Sequence, residues 1–144
     1  MEEKAIYISI KPQYTKLIES GRKDHEFRKY IPKRFINTLY VYESSPTSAL
    51  KYVIKLSDII QSPNQISDSG YGNNEFNQGI KEERFAYKIN KVYKLEHPIP
   101  LVELKEKFGF SPPQSYAYDD RYPELTEYIK TKTNLILIIN IYKN

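Results

Sequence analysis

The 144-residue chain has no cysteine and no tryptophan, one methionine and two histidines. Without cysteine there is neither a disulfide framework nor a thiolate metal site. His25 and His97 alone are too few for a structural zinc site, so no metal and no cofactor is expected. No run approaches the ~20 apolar residues that a membrane helix needs. The charged start Met-Glu-Glu-Lys-Ala does not lead into the apolar core of a signal segment. A cytoplasmic location without a membrane partner is therefore expected. Glycine is sparse, at five, and the nine prolines are spread over turns. No linker divides the chain, and its length suits one domain, residues 1–144, with a core of its own.

The charge that is present sums to +4, an excess that permits a polyanionic partner without demanding one. Tyrosine is abundant, at 14. Tyrosines fill half-buried sheet positions and also stack on bases.

Hydrophobic periodicity gives the elements. Residues 5–10 alternate, with Ile6, Ile8 and Ile10 on one face and Tyr7 and Ser9 on the other, which predicts a strand. Pro12 suits the first position of a short helix that Gly21 ends. Further strands are expected over 24–28, 39–43, 49–60 and 84–95, the last with a bulge near Asn90. Residues 63–79 form a polar excursion with room for a short helix and for mobility, anchored by Tyr71 and Phe76. Residues 97–100 are extended by their prolines, 101–108 read as an amphipathic helix, and two prolines stiffen the loop 110–116. After Asp119 and Asp120, a helix over 123–132 precedes the β-branched run 134–142, which reads as a buried closing strand. The sum is an α+β domain with about six mostly antiparallel strands in a small curved or closed sheet, and short helices. Oligomeric state is not legible.

Chemistry concentrates in Arg22-Lys23-Asp24-His25-Glu26-Phe27-Arg28-Lys29. On a strand, Asp24, Glu26 and Arg28 share one face and His25 and Phe27 the other. Lys11, at the end of the first strand, and Lys23 come to the same side and could hold a phosphate or carboxylate. Ser44 and Ser45, in a Ser-Ser-Pro-Thr turn at a strand end, offer either a capped turn or an anion contact. His25 reads as a packing residue.

Three stretches, SIKPQYTKLIESGRKDHEFRK, VYESSPTSALKYVIKL and AYKINKVYKLEHPIPLVELKEKFGFSPPQSY, resemble in the same order the ASCH domain family of the PUA-like superfamily. The likeness covers residues 5–56 and 85–116; residues 63–79 look like an insertion, and 119–144 are less family-like. It implies a PUA-like pseudo-barrel of five or six strands with helices at its openings. It also implies a cleft lined by the segment around Lys23, the Ser44–Thr47 turn and the Pro-Pro-Gln-Ser loop. The superfamily is linked to RNA and to modified nucleosides, and small bacterial members similar at the Gly-x-Lys…Arg motif are amidohydrolases of acetylated cytidine. Carried over, the motif lysine is Lys23 and the motif arginine Arg28. The family's threonine, three residues after the lysine, is Glu26 here, so a hydroxyl nucleophile is missing at that place. The family's distant glutamate has no unique match among Glu75, Glu82 and Glu83.

Three readings follow. In the first, the cleft binds RNA or a modified nucleoside or nucleotide. Lys11, Lys23, Arg28 and Lys29 meet phosphate, Glu26 accepts from a base amino group, and Gln114, Ser115 and Tyr116 read or stack on a base. In the second, the chain is a hydrolase of a nucleoside amide or of RNA, with Glu26 as general base and Lys23 stabilising charge. In the third, Lys23, Glu26 and Arg28 are a structural ion network.

Overall fold

The alternating run at the N-terminus does become a strand, but both of its faces are buried. The computed structural model describes residues 2–141. Its elements are β1 (Ala5–Ile10), α1 (Pro12–Glu19), β2 (His25–Arg28), β3 (Thr38–Glu43), β4 (Ala49–Gln61), α2 (Asn73–Gln78), β5 (Phe85–Pro100), α3 (Leu101–Phe108), β6 (Ala117–Tyr118), a 3-10 turn (Asp119–Arg121), α4 (Pro123–Lys132) and β7 (Leu135–Asn140). On one face of β1, Ile6, Ile8 and Ile10 join Leu39, Val41, Ile54 and Tyr87. On the other, Ala5 and Tyr7 join Tyr40, Leu50 and Leu95 beneath Leu104 of α3 and Leu125 of α4. Tyr7 is fully buried because its hydroxyl has a partner, Thr126 Oγ1 at 2.7 Å.

All seven strands belong to one sheet, in the order β2-β5-β4-β3-β1-β6, with β7 also paired to β5. Only β1 and β3 run parallel; the other pairs are antiparallel. The sheet curls into a half-barrel that brings β2 back toward β1 without any ladder between them. β6 covers β1 only at Ile6 and Tyr7, so the edge of β1 from Ile8 to Ile10 faces β2 across an open seam. A side chain bridges it: Arg28 Nη2 of β2 donates to the carbonyl oxygen of Ser9 at 2.9 Å.

The long β4–β5 hairpin has three register shifts, and one of them falls where the sequence placed it. Ile89 and Lys91 oppose Leu56 and Lys55, which leaves Asn90 outside the register. The polar excursion at the hairpin tip is tied down. Tyr71 N–H donates to Arg22 O, Asn73 Nδ2 donates to Asp24 Oδ1 at 2.9 Å, and Phe76 is buried against Phe27. The room for mobility expected from its composition is thus taken up by specific contacts.

The β-branched run near the C-terminus is the main correction. It forms β7, an edge strand paired only with β5, and Leu135, Ile136 and Leu137 are exposed instead of buried. Only Ile138 and Ile139 pack on the core. A continuous apolar run is the pattern of a two-sided buried strand, but among the described residues no element covers the outer face. Tyr142, the end of the expected strand, lies outside the described residues. β6, two residues long, has too little pattern to be seen in the sequence.

Where β3 ends, Glu43 is buried and accepts hydrogen bonds from Thr15 Oγ1 at 2.5 Å and from Thr47, with Lys51 Nζ at 3.4 Å. Burial alone would raise its pKa, but the two hydroxyls and the lysine outweigh this and hold the carboxyl below its ordinary value. Glu43 thus pins the turn after β3 to the first turn of α1. Glu43→Ala is expected to cost about 2–4 kcal/mol, since it leaves Lys51 and two hydroxyls without their acceptor. The wild-type contribution is present above the ordinary carboxylate pKa and disappears as the pH falls through the lowered one. Urea unfolding over a pH series tests both; equal stability of the two proteins at neutral pH would refute the role.

Candidate functional site

The open seam is a cavity of about 410 Å³. Its floor is apolar, from Ile6, Ile8, Ile10 and Tyr87, and its rim carries Lys11, Glu26, Arg28 and Lys29. Gln114, Ser115 and Tyr116 form the opposite wall. That wall is fixed by Ser9, whose hydroxyl donates to Pro113 O at 2.8 Å while its carbonyl accepts from Arg28. An apolar floor with a few convergent polar groups, at this volume, suits a nucleoside-sized ligand.

A smaller chamber of about 140 Å³ adjoins it and shares Tyr14, Glu26, Phe27 and Glu83. Its other walls are Lys23, Tyr71 and Lys81. Glu26 stands between the two spaces and holds a cation on each side, Lys23 Nζ at 3.6 Å and Arg28 Nε at 3.1 Å. The latter contact is ionic only; the buried Nε–H has no well-aligned acceptor. Together the two spaces carry five cations, Lys11, Lys23, Arg28, Lys29 and Lys81, against Glu26 and Glu83. The seam therefore presents net positive charge to a ligand.

Lys23 reaches this place through local geometry. Gly21 ends α1 with φ +82°, a conformation that costs a residue with a Cβ. The amides of Arg22 and Lys23 then both donate to Leu17 O, which turns the chain inward. The Lys23 side chain is buried, with its ammonium 4.4 Å from the centre of the Phe27 ring. Burial is the chief reason its pKa lies below the ordinary lysine value; Glu26 opposes the shift, and Lys81 and Arg28 add to it.

The sequence-predicted residues divide clearly. Lys11, Glu26, Arg28, Lys29, Gln114, Ser115 and Tyr116 line the main cavity, and Lys23 lines the adjoining one. Lys11 and Lys23 are on the same side but in different spaces. Ser44 and Ser45 line neither cavity. Ser44 N–H donates to Ile10 O in a turn held by Glu43, so the turn faces the start of α1 and not the seam. Asp24 does not share the Glu26 face; it accepts from Asn73 and lies 2.8 Å from His25 Nδ1. His25 is buried and lines neither cavity, and burial lowers its pKa. Phe27, expected to point away, instead lines both spaces. Tyr14, Tyr71, Lys81 and Tyr87 were not foreseen as lining residues. Of the three glutamates left open, Glu83 reaches the cavities, while Glu82 pairs with Lys29 at 3.1 Å. Among the described residues no group of three or more His, Cys, Asp or Glu is placed to hold a metal ion, and no helix is long and apolar enough to cross a membrane.

The ASCH domain family profile matches residues 8–136. The chain belongs to the ASCH family. The match includes the 63–79 excursion and runs through α4. The chain is also similar to an ASCH domain-containing ribonuclease of Zymomonas mobilis, 29% identical over 129 residues, which are 81% of this chain and 85% of the relative. The crystal structure of ASCH from Zymomonas mobilis superposes with a TM-score of 0.67 at 26% identity, covering 92% of this chain and 98% of that one. A tyrosine-to-phenylalanine mutant of the Zymomonas mobilis protein gives a TM-score of 0.71 at 23% identity, covering 92% and 100%. The half-barrel is thus an ASCH fold.

Removing the carboxylate between the two cations tests the electrostatics of this ASCH domain. Glu26→Gln leaves Lys23 and Arg28 facing one another and is expected to cost about 2–4 kcal/mol at neutral pH. The cost should shrink as the pH rises toward the ordinary lysine value of about 10.4, because Lys23, with its lowered pKa, loses its charge first. Chemical denaturation of both proteins across that range measures it; a pH-independent loss would assign the effect to packing.

Proposed function

We propose that this ASCH domain is a ribonuclease whose reacting phosphate lies at the seam between β1 and β2. The observation that carries the reading is the Lys23–Glu26–Arg28 cluster: one carboxylate between two cations, on the rim of a nucleoside-sized cavity. Similarity to a protein named as a ribonuclease supports RNA as the substrate. Glu26 at the family's threonine position disfavours a hydroxyl-nucleophile amidohydrolase.

In this reading a base occupies the apolar main cavity between Tyr116 and the β1 isoleucines, with Gln114 and Ser115 at its polar edge. Glu26 accepts the proton of the ribose 2′-hydroxyl, whose oxygen attacks the adjacent phosphorus. Arg28, through its Nε–H that has no aligned acceptor, and Lys23 hold the charge that grows on the phosphoryl oxygens. The bond to the 5′-oxygen breaks, and Lys23, whose lowered pKa makes it a readier donor, gives that oxygen a proton. The products are a 2′,3′-cyclic phosphate and a 5′-hydroxyl, with no water consumed. Lys11 and Lys29 neutralise neighbouring phosphates, so affinity falls with salt.

Cleavage of a fluorogenic single-stranded RNA should fall by roughly 10²–10³-fold in Lys23→Met and in Glu26→Gln. A substrate with a 2′-deoxy sugar at the cleaved position should not react. Unchanged rates in both variants, or release of acetate from acetylated cytidine with no cleavage of RNA, would overturn the assignment.

A further inference from the structure

The loop 29–37 between β2 and β3 displays two aromatic rings to solvent on a backbone that is held in place. Tyr30 is 69% exposed and Phe35 67%, while Ile36 between the loop and β3 is buried. Tyr87 Oη donates to Tyr30 O at 2.8 Å, and Arg34 N–H donates to Tyr118 Oη at 3.2 Å. Asn37 is tied to Lys4 through backbone and side chain, its N–H donating to Lys4 O at 2.8 Å and its Oδ1 accepting from Lys4 N–H at 2.8 Å. The Arg34 guanidinium lies 4.0 Å from the centre of the Tyr118 ring and 2.9 Å from Asp120. A tethered loop that leaves such rings uncovered forgoes a large apolar burial, and each ring borders a depression, Tyr30 the seam cavity and Phe35 a second groove.

The loop begins at the seam. Lys29 and Tyr30 line the seam cavity. Lys33, Arg34 and Phe35 line a second groove of about 550 Å³, floored by Leu56 and Ile59. The loop is thus a ridge between two depressions, with Lys29, Lys33 and Arg34 along it and Asp58 as the acid of the second groove. The ion pairs of Lys29 with Glu82 and of Arg34 with Asp120 are exposed. Such pairs hold little energy and can yield to phosphates.

We infer that the loop 29–37 is a docking ridge for single-stranded RNA leaving the seam, with bases stacked on Tyr30 and Phe35 and the backbone following Lys29 and Lys33. This rests on the ribonuclease reading and specifies its substrate as a single strand longer than a dinucleotide. Cationic charge beside sequence-neutral π faces is the chemistry that single strands need, since every base has a face to stack. In an A-form duplex those faces are already used. A protein partner on Phe35 would need no such charge.

The test is fluorescence anisotropy of the full chain with a labelled 2′-O-methyl single strand of roughly 12 nucleotides, within the span that single-strand sites cover. Its 2′-oxygens carry no proton, so binding is read without cleavage. Tyr30→Ala and Phe35→Ala should each weaken binding about 10-fold, the span of one base–aromatic stack. Tyr30→Phe should keep it, and Phe35→Ala should leave binding of a 2′-O-methyl dinucleotide unchanged. Wild-type affinity for the long strand in both alanine variants would overturn the ridge, as would equal binding of a duplex. Circular dichroism of each variant confirms that the fold is kept. The two proposals separate cleanly. Cleavage that depends on Glu26 but not on the ridge rings overturns this inference alone. Ring-dependent binding without cleavage overturns the ribonuclease reading alone.

Discussion

Everything at the candidate site depends on a sheet that curls but does not close. All seven strands join one sheet, yet β2 and the C-terminal half of β1 face each other with no ladder between them. An open edge carries unpaired backbone groups, which must find partners or stay wet. Here the partner is a side chain: Arg28 of β2 donates to Ser9 O of β1. A guanidinium in place of a backbone amide keeps the strands apart and leaves room for a ligand. It also brings a permanent charge to the rim. Glu26, two residues earlier on the same face of β2, then answers that charge, and Lys23 answers Glu26.

The order of strength within this chain explains which group is adjustable. Arg28 is anchored by a backbone carbonyl, Ser9 O. Lys23 has no such anchor. Its ammonium is buried over Phe27, with Glu26 as counter-charge at 3.6 Å. Desolvation therefore acts on Lys23 most directly and pulls its pKa down.

Local pattern was legible in the sequence to the extent that one neighbour decided it. The strands at 5–10 and 39–43, the helix after Pro12 and the bulge at Asn90 follow from alternation, proline geometry and an interrupted period. So does the cluster of Lys23, Glu26 and Arg28, because two charged residues on one face of a short strand and a lysine just before it have few places to go. What escaped was set by distant segments. The exposed β7 has the composition of a buried strand, and only the absence of a covering layer distinguishes it. Ser44 and Ser45 turn away because Glu43 prefers two threonine hydroxyls. Tyr71 reaches the site because the excursion 63–79 folds back through Asn73 to Asp24, a contact across 49 residues, and Lys81 and Glu83 follow just after it. Tyr71 had given a sign in the sequence as an aromatic in a polar stretch, and Glu83 as one of three glutamates left open; Lys81 had given none.

Tyr87 links the seam to the ridge. Its ring forms part of the cavity floor, and its hydroxyl holds the carbonyl of Tyr30. Burial pushes its phenol up to about 12, so near neutral pH it remains the donor that this hydrogen bond needs. The cavity floor and the backbone of Tyr30, one residue beyond Lys29, are therefore positioned by the same β5 side chain. β5 also pairs with β2, placing Tyr87 opposite Glu26 in the register. The carboxylate, the floor and the ridge are fixed relative to one another by a single strand pairing, which is why a seam left open by the sheet can still hold a defined geometry.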